Sequence, residues 1–319
     1  MPLSLRSLGA ADASRVADLI NGAALEPSSV AEVRERIAGQ IQPGRSVLRL
    51  GAEDGTGALI GYGHALRDAY MEPGLFWVHV TVDPAARRKG AGRALYEAVR
   101  SFAHEHGATW LRGEVRDHLP EAMAFARAMG FTAERHIFES TLQVADFDER
   151  PFLDALERAE AAGARFFSLA DLGDTRAARE RLWVLERTVA RDVPGGSEAT
   201  IRPFEVWERQ VVASGHYLAE GQLVAAHGDE WVGMAGLLDY PEGAMMYHGI
   251  TGVVSAYRGK GLATALKLLA IRLARSRGVK LLRTNNDAEN APMLAINRKL
   301  GYQSEPGYYR LVAHLGAGD

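Results

Sequence analysis

Two stretches decide how this chain reads: Val78-His79-Val80-Thr81-Val82-Asp83-Pro84-Ala85-Ala86-Arg87-Arg88-Lys89-Gly90-Ala91-Gly92-Arg93 and Thr251-Gly252-Val253-Val254-Ser255-Ala256-Tyr257-Arg258-Gly259-Lys260-Gly261-Leu262-Ala263. Each begins with β-branched residues that suit a strand, passes through turn-forming residues, and ends in a basic, glycine-rich loop. Behind the loops, Ala94, Leu95, Ala98, Val99, Phe102 and Ala103, and again Leu266, Leu269, Ala270, Leu273 and Ala274, recur at helical spacing. Each loop therefore opens a helix, and Gly107 and Gly278 close those helices. A helix start leaves backbone N–H groups without partners and carries the positive end of the dipole, so it attracts an anion. Glycine lets that backbone approach phosphate oxygens closely, and arginine and lysine add charge. One such loop could be a plain turn. Its recurrence argues for function, because the basic residues have no packing reason to persist.

The recurrence extends well beyond the loops. The shift that lays Arg87 on Arg258 also lays Lys89 on Lys260, Gly90 on Gly261, Leu95 on Leu266, Gly107 on Gly278, Arg112 on Arg283 and Gly130 on Gly301, without a gap. The period is that of a domain, not of a solenoid repeat. A chain of 319 residues accommodates two such domains. The expected division is residues 1–145, a linker helix over 146–162 suggested by Phe152, Leu153, Leu156 and Ala159, and residues 163–319.

Both halves start with a short strand and a helix, Leu3–Leu8 with Ala11–Asn21 and Phe166–Leu169 with Thr175–Ala190. Strands follow at 46–50, 59–66 and 75–82 in the first half, and at 216–220, 223–227, 230–238 and 245–253 in the second, with Glu53-Asp54-Gly55 and Pro241-Glu242-Gly243 as turns. After each loop helix come a strand (110–115 and 280–284), a helix and a final strand (136–144 and 307–314). The fold class is α/β with an α+β mixed sheet: two tandem domains, each a twisted mixed sheet flanked by helices. The aromatic residues Trp183, Phe204, Trp207 and Tyr217 are expected in the second core.

Composition narrows the function. Basic and acidic residues number 37 and 40, so no charge excess favours nucleic acid or an anionic membrane. The chain has no cysteine, which excludes disulfides, thiolate nucleophiles and cysteine-bound metal; no metal is expected. It lacks a signal-peptide pattern and a long apolar run, so a soluble cytoplasmic protein is expected. Sequence leaves the oligomeric state open.

The loops resemble motif A of the GNAT superfamily of acyl-CoA-dependent N-acetyltransferases. In the second half, Asn285-Asn286-Asp287-Ala288-Glu289-Asn290-Ala291-Pro292-Met293-Leu294-Ala295-Ile296-Asn297, followed by Leu300-Gly301-Tyr302, is similar to the family's next strand end, helix and Gly-aromatic turn. The resemblance covers nearly the whole chain, and the duplication is similar to tandem members such as mycothiol synthase. It implies a V-shaped splay between the fourth and fifth strands of each domain, with pantetheine against Val80, Thr81 and Val82 or Thr251, Gly252 and Val253. The pyrophosphate of acetyl-CoA, the co-substrate, would lie on Arg87, Arg88, Lys89, Gly90, Ala91, Gly92 and Arg93, or on Arg258, Gly259, Lys260, Gly261, Leu262 and Ala263. Asn290 matches an asparagine near the pantetheine arm and suits equally an N-cap.

The implied reaction is direct attack of a bound amine on the thioester. It needs a deprotonated amine, a polarised carbonyl and a proton for the leaving thiolate. Many family members carry a tyrosine acid four residues before the glycine of the Gly-aromatic turn, where this chain has Ala126 and Asn297. His248 is the candidate base, with His79 its weaker first-half analogue; Glu139 and Tyr309, on the two final strands, are candidates for the acceptor cleft. The first half has Leu119 and Ala126 in place of Asn290 and Asn297, so the second half is expected to be the active one. The acceptor is a small-molecule or peptide amine. A mycothiol-synthase-like reaction and a non-catalytic acyl-CoA sensor or partner-binding module are the alternatives.

Overall fold

In the computed structural model, the described residues are 3–22, 28–38, 44–69, 71–195, 202–240 and 244–316. The expected turn at Pro241-Glu242-Gly243 lies outside them. The chain forms two compact units, Met1–His136 with Tyr308–Asp319, and Ile137–Gly307.

In unit 1, β1 (Ser4–Ser7), α1 (Ala13–Asn21) and α2 (Val30–Ala38) precede the antiparallel strands β2 (Ser46–Glu53), β3 (Leu59–Arg67) and β4 (Leu75–Val82). Then come α3 (Ala91–Glu105), β5 (Trp110–Arg116), parallel to β4, and α4 (Pro120–Ala128). Helix α3 lies on one face of this sheet. A Cβ on Gly61 would stand 2.9 Å from Leu95 Cδ1, and one on Gly63 would stand 3.3 Å from Leu95 Cδ2, so bare backbone is what admits the helix this closely. The other face meets α1 and α2 through Val16, Leu19, Val33, Leu59 and Tyr62.

Unit 2 repeats the plan with β7 (Ala164–Ser168), α6 (Arg176–Ala190), α7 (Phe204–Val211), β8 (Tyr217–His227), β9 (Glu230–Tyr240), β10 (Met245–Val253), α8 (Leu262–Ser276), β11 (Leu281–Asp287) and α9 (Ala291–Lys299). Thr175 caps α6 by accepting from the Ala178 N–H at 3.2 Å. The strands expected at 216–220 and 223–227 are one, β8, with an irregularity between Tyr217 and Gln222. Helix α8 buries Leu266, Leu268, Ala270, Ile271 and Ala274. Each fully buried leucine or isoleucine among them contributes about 1.5–3 kcal/mol. Across the sheet, α6 and α7 pack Leu182, Leu185, Val189, Phe204 and Trp207, with Trp183 at the margin; Tyr217 instead donates to Asp174 at 2.7 Å.

The sheets close by exchange. The strand that leaves the first half, β6 (Thr132–Gln143), pairs antiparallel with β11 from Ile137 to Gln143, inside unit 2. The last strand, β12 (Gln303–His314), pairs antiparallel with β5 from Tyr308 to His314, inside unit 1. The compact units therefore differ from the expected 1–145 and 163–319: each takes its sixth strand from the end of the other repeat. Glu139 belongs to the second sheet and Tyr309 to the first. Helix α5 (Leu153–Ala161), within the expected linker, packs in unit 2, where Leu153 and Leu156 reach the α8 core and Ala159 lies beside Leu262 and Leu266. Helical period reveals an amphipathic segment but not what it covers.

Removing residues 308–319 takes away the antiparallel ladder that β12 makes with β5. Amide exchange in Trp110–Arg116 is expected to accelerate strongly while Leu281–Asp287 stays protected; equal protection of both strands in the shortened chain would contradict the exchange.

Candidate active site

Strands β4 and β5 pair in parallel only at Leu75–Trp77 with Trp110–Arg112, and β10 and β11 only at Met245–Tyr247 with Leu281–Arg283. Past those rungs no further pairing between the two strands is recorded among the described residues. A parallel pair that opens after three rungs leaves main-chain groups free along one side of the central strand, the V-shaped splay that the sequence resemblance implies. Val80, Thr81 and Val82, and Thr251, Gly252 and Val253, lie on the opened stretches. On its other side β4 keeps an unbroken register with β3, whereas β10 has an irregularity against β9 between His248 and Thr251. Such bulges re-aim side chains where a site needs them.

Both loops run from these strands through a short 3-10 turn, Pro84–Ala86 or Ser255–Tyr257, into α3 or α8. The helix N-caps are left-handed glycines, Gly90 at φ 92° and Gly261 at φ 80°. Two residues earlier the backbone is left-handed again, at Arg88 (φ 64°) and Gly259 (φ 76°), so successive N–H groups turn towards one side. A Cβ at Gly90 or Gly259 would meet nothing within 4 Å, so the space before each loop is open. The loop backbone thus suits a pyrophosphate in both units. Over Gly261 the main chain of Ala155 comes nearer, its carbonyl oxygen 3.6 Å from a Cβ there.

Arg87 Nε donates to the Val82 carbonyl at 3.2 Å, and Arg258 Nε donates to the equivalent Val253 carbonyl at 2.9 Å. Each arginine ties its loop to the end of the splayed strand. The outer guanidinium nitrogens turn to Glu121 at 3.1 Å and to Asp192. These exposed pairs are weak and exchangeable for phosphate. Lys89 Nζ donates to the Ala85 carbonyl at 3.3 Å, Lys260 lies 5.0 Å from the Tyr257 ring, and Arg93 faces Glu97 across one helical turn at 3.9 Å.

His248 is fully enclosed, so the direct meeting with an acceptor amine expected of a base is absent here. One ring nitrogen faces Thr251 Oγ1 at 2.8 Å and the other faces Tyr302 Oη at 3.4 Å. Burial, and then the charge of Lys267, hold its pKa well below the ordinary histidine value. Lys267, on α8, is 1 % exposed and stands 5.1 Å from the Tyr302 ring. Burial pushes its pKa down to about 7 and that of Tyr302 upward. Thr251 on the open splay, His248, Tyr302 and Lys267 therefore form a polar row leading into an apolar core. Sequence reading missed Lys267; a lysine among Leu266, Leu268 and Ala270 on the buried face of a helix was the available signal.

Asn290 caps α9, accepting from the Met293 N–H at 3.3 Å. Asn297, 3 % exposed, donates to Asn286 Oδ1 at 2.6 Å, and Asn286 donates to Ser140 Oγ at 2.7 Å. Its own Oδ1 is buried without a partner among the described residues. Asn297 is thus a core amide and not a surface one. His79 stacks on His64 with ring centroids 5.6 Å apart, and Tyr309 stacks on His136 at 4.5 Å. Glu139 lies 3.4 Å from Arg283.

A duplicated mixed sheet with a splayed strand pair, each splay running into an anion-binding helix start, defines an acyl-CoA N-acyltransferase of tandem type. The model for the Acetyltransferase (GNAT) family matches residues 14–131 and again 189–302, so the chain belongs to that family and transfers acetyl groups from acetyl-CoA. A mycothiol acetyltransferase from Clavibacter michiganensis subsp. michiganensis is 29% identical over 310 residues, 92% of this chain and 93% of the relative. Among solved structures, a GCN5-related N-acetyltransferase from Sphaerobacter thermophilus superposes with TM-score 0.72 at 20% identity, over 98% of this chain and 95% of that one. A tandem GNAT protein from the clavulanic acid biosynthesis pathway gives 0.71 at 22% identity over the full length of both. Family members act on small-molecule or peptide amines. No helix among the described residues is long and apolar enough to cross a membrane.

The buried lysine has a pH signature. Between its folded pKa of about 7 and its unfolded value near 10.5, the unfolded chain holds the extra proton, so unit 2 gains stability as pH rises through that window. The slope from this group is about 1.4 kcal/mol per pH unit. Lys267→Met is expected to flatten that rise and raise the melting temperature at pH 7; parallel pH–stability curves for the two proteins would contradict it.

Proposed function

We propose that unit 2 carries the acetyl transfer and that unit 1 binds acetyl-CoA without turning it over. The observation that carries this reading is the irregularity in β10 at the mouth of the splay, which β4 lacks. It presents Thr251 on the open stretch with its hydroxyl held by His248 at 2.8 Å. Acetyl-CoA is assigned to Arg258–Ala263 and the Thr251–Val253 backbone in unit 2, and to Arg87–Arg93 and Val80–Val82 in unit 1. Asn290 serves by fixing the start of α9.

The primary amine of the acceptor, freed of its proton, attacks the thioester carbonyl. The C–N bond forms, the C–S bond breaks, the attacking nitrogen gives up one of its two remaining protons to become the amide, and the leaving thiolate takes up one. Main-chain N–H groups of the splay stabilise the developing oxyanion. His248 acts through Thr251 as a positioning residue, since it is enclosed and neutral.

A second reading concerns the acceptor: the near full-length match to a mycothiol acetyltransferase favours acetylation within mycothiol chemistry. A cytoplasmic location fits either reading.

Gly261→Val places a branched side chain at a left-handed position under the Ala155 carbonyl, and is expected to abolish both acetyl-CoA binding to unit 2 and thiol release with any accepted amine. Gly90→Val is expected to remove one equivalent of bound acetyl-CoA in calorimetry while turnover persists. The opposite pattern, turnover lost with Gly90→Val and kept with Gly261→Val, would sink the assignment of chemistry to unit 2.

A further inference from the structure

The face of the unit 1 sheet away from α3 carries an unusual set of side chains. Cross-strand partners share a face, and side chains alternate along a strand. Arg49 lies opposite His64, His64 opposite His79, Glu114 opposite Arg310, and Arg116 opposite Tyr308. Trp77 lies beside Arg112 on the last rung before the splay. Ala65, Val78, Leu111 and Leu311 occupy the opposite face, in the core with Tyr96 and Val99 of α3.

Arg112 and Arg310 both stand over the Trp77 ring, 5.8 and 5.5 Å from its centre, so two like charges are gathered on one indole. Arg116 lies over Tyr308 at 5.7 Å. The recorded carboxylates nearby are few and loosely held: Glu114 reaches Arg310 at 3.5 Å, and Glu134 reaches Arg112 at 3.5 Å. The guanidiniums are not simply solvated, for the Arg112 side chain is 12% exposed and that of Arg310 is 23%. Arg112 Nε, Arg116 Nη1 and Arg310 Nε are buried with no hydrogen-bond partner among the described residues, as are His64 Nδ1 and His79 Nε2. Buried donors left without acceptors are costly, and a gathering of them around like charges calls for an anion. Burial first, with neighbouring positive charge after it, keeps His64 near 3 and His79 near 4, so both rings are neutral.

The equivalent rungs of unit 2 are built differently. There Arg283, the counterpart of Arg112, meets Glu139 at 3.4 Å, and Glu139 occupies the rung position that Arg310 holds in unit 1. The charge of that position is inverted between the repeats. Among the described residues, two arginines gathered over one indole are found in unit 1 and not at the equivalent rungs of unit 2.

We propose that the face of the unit 1 sheet around Trp77, Arg112, Arg116 and Arg310 is a binding site for a small oxyanion ligand, carboxylate or phosphate, beside the mouth of its splay and apart from the pyrophosphate loop. The ligand accepts from the guanidinium forks and lies over Arg112 and Arg310. This site stands whether or not unit 2 performs the transfer.

The test uses the full-length chain with citrate and, separately, inorganic phosphate as probes, at a fixed ionic strength of about 0.15 M and with coenzyme A saturating both loops. Saturable calorimetric binding of either probe supports the site, and the probe that binds distinguishes carboxylate from phosphate. Arg310→Gln and Arg112→Gln are each expected to weaken binding by about tenfold or more, while Arg209→Gln, an exposed arginine on α7, leaves it unchanged. Should either variant fail to fold, citrate or phosphate added to the wild-type chain is still expected to shift the His64 and His79 ring resonances. Absence of saturable binding by both probes, binding indifferent to Arg112 and Arg310, or unmoved histidine resonances under saturation overturns the proposal.

Discussion

The molecule depends on one constraint: a central strand stops pairing with its parallel neighbour after three rungs and must still satisfy its main chain. On the side that stays paired, β4 and β10 keep antiparallel ladders with β3 and β9. On the open side the free N–H and C=O groups need an extended polar partner, and a pantetheine arm is one. Glycines in the strand next to each splay allow a long helix to press against it, and the same helix then aims its N-terminus at the place where a phosphate must lie. Sheet, helix and loop are parts of one arrangement, so an opened strand pair without the loop helix behind it would be only a damaged sheet.

Duplication has produced two versions of this arrangement with different interiors. Unit 1 has an unbroken β4 and a face rich in arginine. Unit 2 has an irregular β10 and a row of polar side chains running from Thr251 to Lys267. A lysine with 1% exposure among leucines lowers stability at neutral pH unless it loses its proton, and its retention beside His248 and Tyr302 sets this core apart from ordinary packing. The chain from Ser140 through Asn286 to Asn297 is a second such row. Asn297, at the helix position where the family resemblance implies a tyrosine, points inward, and the row joins β6, β11 and α9.

Much was legible because it rests on local chemistry. Glycines at left-handed positions, basic residues beside them and apolar residues at helical spacing mark a strand–loop–helix unit whatever surrounds it. The helix expected over Thr175–Ala190 is α6, with Thr175 as its cap in the structure. Asn290 read equally well as a cap or as a cofactor contact, and its hydrogen bond to the Met293 N–H shows the capping role at work. The aromatic group was legible for Trp183, Phe204 and Trp207, which share a helical face or its partner; Tyr217 sits on a strand, and its hydroxyl went to Asp174 instead.

The sequence by itself determined the duplication and the strand-to-helix loops, because each follows from short-range spacing and from residues whose conformational or charge properties are their own; the class of chemistry and the cofactor came with the family resemblance that those loops carry. Only the tertiary structure decided which sheet each final strand completes, for the alternation of β6 and β12 fits either sheet and pairing partners lie far away in the chain. It also decided where His248 points. A strand has two faces, and an irregularity of a single residue exchanges them, so a histidine placed correctly on the splayed strand was enclosed beneath α8 instead of facing an acceptor. The arginine face of unit 1 came from the same source: Arg49, Arg112, Arg116 and Arg310 are scattered along the chain, and only register gathers them.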